Sequence, residues 1–439
     1  MSHSGLILLA VRFLGAGSRR SGRGRSRFIT AVVGVALSLV PLVVVQQVAD
    51  GMISGIVRRF VETGSYHIQA IARGNRDNVT PIKELGAVEG VVSARQERQG
   101  FGLLYSETGR SGVTIRAVTQ EYWSEDPVVR DYIEVTGGNF DLTGPDSIVL
   151  GIHIAERLGA VPGDELRLLT VRPLGEGRML PRVSRFTVAG VVSTGYRDLD
   201  RLWVFVPLER GLRIIPDESA RDLVGIKVDD PFVLPNPLFN RGLARLAEGD
   251  RTRRMARTMN EISRTAGPGW FVLDWYSLEQ GRYISFLTSR NLLSIVMAMV
   301  VIVAAVNVSS ALVLLVVEKE QDIAILRATG VSAGSVSRAF VLAGAIIGVA
   351  GATLGAASGL LIAGNINGVL QGVEVLLSFL AGRSVDVFNS DFYLEEIPVA
   401  IRFLPVAGSV FFTLLVALVA GLLPARRAAA VPPERILRR

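Results

Sequence analysis

The sequence has no cysteine at any of its 439 positions. That excludes disulfides, thiolate metal sites and cysteine nucleophiles, and it leaves the compartment open. Histidine occurs three times, as His3, His67 and His153, far apart in sequence, and no HExxH, GxSxG or GxGxxG pattern is present. The residues therefore propose no metal site and no catalytic group. Carboxylates such as Asp198, Asp200, Asp229 and Asp230 read as turn or solvated residues rather than an acid/base pair. Lysine is nearly absent: Lys83, Lys227 and Lys319 are the only ones among 47 basic residues. The resulting net charge of +7 does not signal nucleic acid, because the arginines do not interleave with aromatics on any segment. A GxxxxGK[ST] phosphate loop is also lacking, so this sequence offers no such route to ATP.

Four long runs lack Asp, Glu, Lys and Arg: Ile29 to Val48, Leu292 to Val317, Ala339 to Gly364 and Leu404 to Pro424. About 20 apolar residues in helix cross a bilayer core of about 30 Å, and a mean hydropathy of +0.40 agrees with a membrane protein. The first run is too long for a signal-peptide core and has Gln47 where a small residue is needed, and Arg19-Arg20 lacks the apolar sequel of a twin-arginine signal. Arginines 19, 20, 23, 25 and 27 precede span one, and arginines 426, 427, 435, 438 and 439 follow span four. The positive-inside rule then places both termini in the cytoplasm. The fold expected is an α-helical membrane protein with four transmembrane helices and a large α+β extracytoplasmic domain between helices one and two.

The expected boundaries are a cytoplasmic or interfacial N-terminal segment 1–27, span one 28–50, the periplasmic domain 51–285 and span two 286–317. There follow a cytoplasmic coupling helix and loop 318–337, span three 338–366, a periplasmic loop 367–403, span four 404–424 and a cytoplasmic tail 425–439. The stretch SGLILLAVRFLGAG before span one reads either as a helix lying in the interface or as an ordinary tail. In the domain, SYHIQAIA, GVTIRAV, DSIVLG, DELRLLTV, RFTVAGVV, RLWVFVPL and GIKV read as strands, with HIAERLGA and ARLAEGDRTRRMARTMNEISRTAG as helices. VRPLGEGRMLPR is a Pro/Gly-punctuated connection, either a plain hairpin loop or a projecting contact loop.

Span three carries Gly344, Gly348, Gly351, Gly355 and Gly359, a small-xxx-small ladder for close helix packing with an unnamed neighbour. Pro41 is placed to kink span one, and Asn307, Ser309 and Ser310 are placed to hydrogen-bond a neighbouring helix. At the inner end of span two comes EKEQDIAILRATG. Glu318, Lys319, Glu320 and Asp322 lead into Ile323, Ile325 and Leu326, then Arg327, and Gly330 offers a stop. The pattern predicts a short cytoplasmic helix that presents an apolar cluster between charges.

This segment, followed by a Gly-rich span, resembles the coupling region of ABC permeases of the LolC/LolE, MacB and FtsX superfamily. VLGIHIAERLGAVPGDELRLLT, RFTVAGVVSTGYRDLDRLWVFVPL and LPARRAAAVPPERILR extend the resemblance, and DWYSLEQGRYISFL with NSDFYLEEIPV points to the lipoprotein-releasing LolC/LolE branch. The resemblance implies an inner-membrane permease subunit, not an enzyme, working as a homodimer or heterodimer. A separate LolD-like ATPase, holding ATP and Mg, would dock on Glu318 to Gly330, so no cofactor binds this chain directly. The implied cargo is a triacylated lipoprotein that enters between the first and second spans of two subunits and is handed to a LolA-like periplasmic carrier. The stretch matching the carrier-binding hook is Arg172, Pro173, Gly175, Pro181 and Arg182, longer around GEGRM. Val44, Val45 and Val48 with Leu292, Ile295 and Met299 would line an apolar path, or be ordinary lipid-facing residues. A MacB-like efflux permease and an FtsX-like module that regulates a periplasmic hydrolase are the alternatives.

Overall fold

The computed structural model describes residues 22–72, 82–173, 179–229, 231–232, 250–382, 399 and 401–430. The chain divides into two units. One comprises Met1–Ser54, Ser285–Val387 and Ile397–Arg439, and the other Gly55–Ile284 with Phe388–Glu396.

The first unit is helical. Its long elements are α1 (Gly22–Phe60) as far as Ser54, α3 (Trp275–Glu318) from Ser285 onward, α5 (Ala333–Gly364) and α7 (Phe403–Ala429); α2 (Asp250–Ala266) belongs to the second unit. Among the described residues, four helices are long and apolar enough to cross a membrane. Two are much longer than their apolar runs: α1 has 39 residues and α3 has 44. At 1.5 Å per residue α3 is about 66 Å long, twice a bilayer core. The hydrophobic boundary and the helix boundary are therefore different things here. A helix satisfies its own backbone hydrogen bonds in lipid and in water alike, so charged residues such as Arg58 and Arg282 sit in the same helices as the apolar runs. Pro41 lies inside α1 without ending it. A further 16-residue apolar helix, α6 (Ile366–Ala381), occupies part of the segment expected to be loop.

Helical periodicity selects the buried faces. On α1, Ala31, Val32, Val35, Leu39, Leu42 and Val43 recur at three- and four-residue steps, and all are buried. On α7 the inward face is Val406, Ser409, Thr413, Ala417, Gly421 and Ala425.

The second unit is an α+β domain around a mixed ten-stranded sheet. Its strands are β1 (Ile68–Ala72), β2 (Val91–Tyr105), β3 (Arg110–Val118), β4 (Glu134–Gly138) and β5 (Ser147–Gly151), then β6 (Glu165–Pro173), β7 (Met179–Ser193), β8 (Trp203–Pro207), β9 (Arg221–Val228) and β10 (Trp270–Asp274). The order is β10-β1-β9-β2-β3-β8-β5-β7-β4, with β6 bridging β2 and β7. Alternation decides which side faces in: on β6, Leu166, Leu168 and Thr170 are buried while Glu165 and Arg167 are exposed. Leu104, Ile115, Leu168 and Phe186 form one core with the helix Ile152–Leu158. Ile68, Val224 and Ile226 form another with Ile262 of α2. Gly163, in the expected PGD turn, has φ +100°, a left-handed conformation that favours glycine.

Candidate functional site

The segment after α3 folds as α4 (Glu320–Ala328), separated from α3 by a break at Lys319. Gly330 follows with φ +97°, and the Val331 N–H donates to the Leu326 carbonyl at 3.1 Å, closing the helix end. Within this element the structure divides the expected apolar cluster. Ile323 is fully buried with Val308, Leu312 and Phe340, so it anchors α4 to its own bundle instead of facing a partner. Leu326 is half-buried against the same core. Ile325 is 51% exposed, on one face of α4 with Asp322, and Glu318 is exposed at the end of α3. The cause is phase: at about 100° per residue, Ile323 and Ile325 cannot share a face. Lys319 pairs with Asp322 at 3.1 Å, and Arg327 donates to the Ala429 carbonyl at 3.2 Å, capping the end of α7. Glu320 is half-buried in the first turn of α4.

The glycine ladder has two partners, both within this chain. A methyl group placed on Gly351, Gly355 or Gly359 would lie 2.6 Å from Val35 Cβ, 2.8 Å from the Ala36 carbonyl or 2.9 Å from Val43 Cβ, all on α1. At Gly348 it would lie 2.8 Å from Ala417 Cβ, and at Gly344 3.5 Å from Gly421 Cα, both on α7. The absent side chains let α5 approach both helices closely.

At the far end of the bundle, polar groups tie the helices. Gln47, fully buried, accepts the Arg402 N–H at 2.7 Å and donates to the Arg402 carbonyl at 3.4 Å, so α7 starts against α1. Ser409 donates to Gln46 Oε1 at 2.8 Å. Arg290 of α3 pairs with the buried Asp50 of α1 at 2.5 Å, each two residues from the edge of its apolar run. Val44, Val45 and Val48 are half-buried nearby in sequence on α1, and Leu292, Ile295 and Met299 are exposed along one stripe of α3. Ser310 donates to the Val306 carbonyl in its own helix.

The Pro/Gly-punctuated stretch is mostly strand. Thr170 opposes Arg182, Val171 opposes Pro181, Arg172 opposes Leu180 and Pro173 opposes Met179, and Gly175 lies outside the described residues. Met179, Leu180 and Val183 are more than half exposed there. Arg172 reaches Glu218 at 3.3 Å, and Arg182 donates to the Arg213 carbonyl at 2.6 Å.

Sequence reasoning missed the exit of α1. The helix ends in a π-turn, Val61–Ser65, all five residues buried, followed by Tyr66 at φ +55°. The Thr63 carbonyl accepts from Arg116 Nη1 and from the Tyr122 hydroxyl, each at 2.5 Å. Glu97 holds Arg116 with both oxygens at 2.7 Å and accepts the Tyr66 hydroxyl at 2.6 Å. The Arg116 guanidinium lies 4.4 Å from the Trp203 ring centre. Glu62 meets Lys227 at 3.0 Å, and Lys227 meets Asp126 at 2.7 Å. His67 Nδ1 lies 2.8 Å from the Val228 nitrogen and 3.0 Å from the Val228 carbonyl oxygen, and its Nε2 lies 3.1 Å from Glu62.

Burial opposes the Arg116 charge, but the Glu97 carboxylate outweighs it and holds the guanidinium above its usual pKa. Burial raises Tyr122 to about 12 and, with Glu97 beside it, raises Tyr66 well above the usual phenol value. A cation at a helix C-terminus contributes about 0.5–2 kcal/mol, and removing one partner of a buried ion pair costs about 3–5 kcal/mol. The available signal was the charged Glu97-Arg98 pair inside an otherwise strand-like stretch, which hid β2 from an alternation test.

Asp200 is a structural acid, accepting the Thr194 N–H at 2.8 Å and the Ser193 hydroxyl at 3.1 Å. Among the described residues no group of three His, Asp or Glu side chains is arranged to hold a metal ion.

Comparison with known proteins agrees with this architecture. A family model described as the MacB-like periplasmic core domain matches residues 28–262, and one described as the FtsX-like permease C-terminal matches 294–433. The chain is 28% identical to the lipoprotein-releasing system transmembrane protein LolC of Neisseria meningitidis, with 98% of each chain covered. It is 24% identical to the corresponding LolE of Haemophilus influenzae, with 93% of each covered. To the macrolide export ATP-binding/permease protein MacB 2 of Yersinia pestis it is also 24% identical, over 77% of this chain and 43% of that protein. The chain thus belongs to the family with a MacB-like periplasmic core domain, within the MacB/FtsX superfamily of ABC-transporter permeases, and LolC and LolE proteins are its full-length relatives.

Proposed function

We propose that this chain is the membrane subunit of an ABC system that lifts lipoproteins from the outer leaflet of the inner membrane and releases them to a periplasmic carrier. The observation that carries the reading is the end-to-end match to LolC, 98% of both chains. The MacB relative, named ATP-binding/permease, is covered only to 43% of its length, which favours the lipoprotein reading over macrolide-type efflux.

In this reading both termini and α4 are cytoplasmic, and the β-sheet domain with the segment after α6 is periplasmic, as the arginine distribution supports. Ile325, with Asp322 on the same face and the exposed Glu318 at the end of α3, docks on a separate ATPase that holds ATP and Mg. A second permease subunit, identical or homologous, completes the assembly. Each CH₂ drawn out of lipid costs about 0.8 kcal/mol, so extraction of an acylated chain needs both ATP and a sheltered apolar path. The exposed stripe Leu292, Ile295 and Met299 supports that path. The exposed Met179, Leu180 and Val183 on the β6–β7 hairpin suit a carrier with an apolar rim. Depletion of the protein in its host, followed by membrane fractionation, tests the reading. Outer-membrane lipoproteins should accumulate in the inner membrane, and unchanged sorting after depletion would refute it.

A further inference from the structure

We propose that α6 lies in the plane of the membrane, with its apolar face sunk in the lipid of the outer leaflet. This placement rests on the orientation given above, in which the Gly364 end of α5 faces the periplasm.

At about 100° per residue, the polar residues Asn367, Gln371, Glu374 and Ser378 of α6 share one face. Val369, Val373, Leu376, Phe379 and Leu380 fall on the opposite side. A helix packed on a protein core covers its apolar side. Here none of the 16 residues is buried, and the apolar side is the bare one: Phe379 is 84% exposed and Leu380 72%. Asn367, Glu374 and Ser378 are half-buried instead, each engaged by another group. On the flank, a methyl group placed on Gly368 or Gly372 would meet nothing within 4 Å. The helix is turned outward, towards an apolar medium.

Its place in the chain says which medium. α6 follows α5 after a single residue, Asn365, whose side chain donates to the Leu361 carbonyl at 2.9 Å and closes the end of α5. The apolar run of α5, Ala339 to Gly364, is about 39 Å long as helix, already more than a bilayer core of about 30 Å. α6 therefore begins where α5 leaves the lipid. At about 24 Å it is too short to cross back by itself. A helix with one apolar face, starting at that level, rests where water and hydrocarbon meet.

Area and charge both favour lipid over a second protein. A strip about 24 Å long and about 10 Å wide offers about 240 Å², well under the roughly 800 Å² that each partner gives a stable interface. Glu374 is the single charged residue of α6, which has no lysine or arginine. Its hold on the membrane thus comes from apolar area and not from attraction to anionic headgroups.

Single-cysteine variants from Ile366 to Ala381, in a chain with no other cysteine, give the test. Each carries a nitroxide in the full chain, reconstituted in phosphatidylcholine liposomes. Power-saturation EPR reads collisions with oxygen, which concentrates in hydrocarbon, and with the water-soluble nickel complex NiEDDA. Oxygen access should oscillate with a period of about 3.6 residues, peaking at Val369, Val373, Leu376 and Leu380, and NiEDDA access should peak at Gln371. Adding phosphatidylglycerol to the liposomes should leave both profiles unchanged. Leu376→Asp with Leu380→Asp should move a label at Val373→Cys out of oxygen and into NiEDDA.

NiEDDA access along the whole apolar side overturns the proposal. So does shielding of that side from both reagents, which is the signature of a second protein covering it. Orientation is read separately, with a membrane-impermeant maleimide on Gln371→Cys in spheroplasts. Labelling of intact spheroplasts is expected. Labelling only after lysis would refute the orientation, and with it the outer-leaflet placement, whatever the EPR profile says about lipid contact.

Discussion

Gly355→Ala on α5 tests the packing of the helical unit with a single methyl group. The new Cβ would stand 2.8 Å from the Ala36 carbonyl oxygen, 3.0 Å from Ala36 Cα and 3.0 Å from Leu39 Cβ. Two of those three atoms are backbone, so no side-chain rotation relieves the contact, and α1 and α5 must part. Overpacking of this kind costs about 1–3 kcal/mol. Replacing a helical glycine by alanine returns about 0.5–1 kcal/mol through backbone entropy. The net expectation is a loss on the order of 1 kcal/mol, with Gly355→Val losing more because its extra carbons have nowhere to go. Gly408→Ala on α7 is the control: nothing lies within 4 Å of its Cβ. It should gain the propensity term alone, so the two alanine variants should differ by about 2 kcal/mol. Helical circular dichroism during an SDS titration in detergent micelles reads the difference. Equal stability of the two alanine variants would refute the close approach of α5 to α1.

Four further outcomes follow from named contacts. Asp50→Ala should destabilise the helical unit by about 2 kcal/mol, because a charge-assisted bond is lost, and the swap of Asp50→Arg with Arg290→Asp should recover part of it in a double-mutant cycle. Ile325→Asp should abolish co-purification of the ATPase with helix content unchanged, whereas Ile323→Asp should lower stability by about 3 kcal/mol or more, since it buries an unpaired charge; a reversed pattern would reject the face assignment. The third concerns pH. The Tyr122 hydroxyl is raised by burial to about 12 and Tyr66 is raised too, so the folded domain binds more protons than the unfolded chain above pH 10. That stability is fully present below about 10, the unfolded phenol value, and is lost as pH rises towards about 12, amounting to about 3 kcal/mol for Tyr122. Alkaline unfolding followed by tyrosinate absorbance should show this loss, and Tyr122→Phe should flatten it. Finally, Gln47→Leu should free the start of α7 and raise hydrogen exchange at Phe403 to Val406, because the buried amide supplies the Arg402 N–H partner.

Much of the architecture was readable because lipid imposes a simple rule: long stretches without charge must be helix. The four long apolar helices follow from it, with the α+β domain as the charged, mixed stretch between the first two. The rule stops at the lipid surface, so it did not reveal that α1 continues to Phe60 and that α3 begins at Trp275. Strands with alternating or β-branched residues, such as β7, were legible. β2 was not, because Glu97 and Arg98 occupy inward positions that only their partners Arg116 and Asp222 make tolerable. β4, with its two glycines, and β10, which runs directly into α3 at Trp275, were missed as well. The glycine ladder announced close packing but could not name α1 and α7, since identity of a neighbour is a tertiary fact. Opposite burial of Ile323 and Ile325 is a matter of helical phase, and an apolar cluster read as one unit conceals it.

The most direct test of the central claim is reconstitution. The chain, with the ATPase that co-purifies with it, is placed in liposomes carrying a labelled triacylated lipoprotein, and release into a soluble carrier is followed after ATP and magnesium are added. ATP-dependent transfer of the lipoprotein to the carrier, abolished by Ile325→Asp, is the predicted result. Vigorous ATP hydrolysis with the lipoprotein still in the membrane would contradict the account.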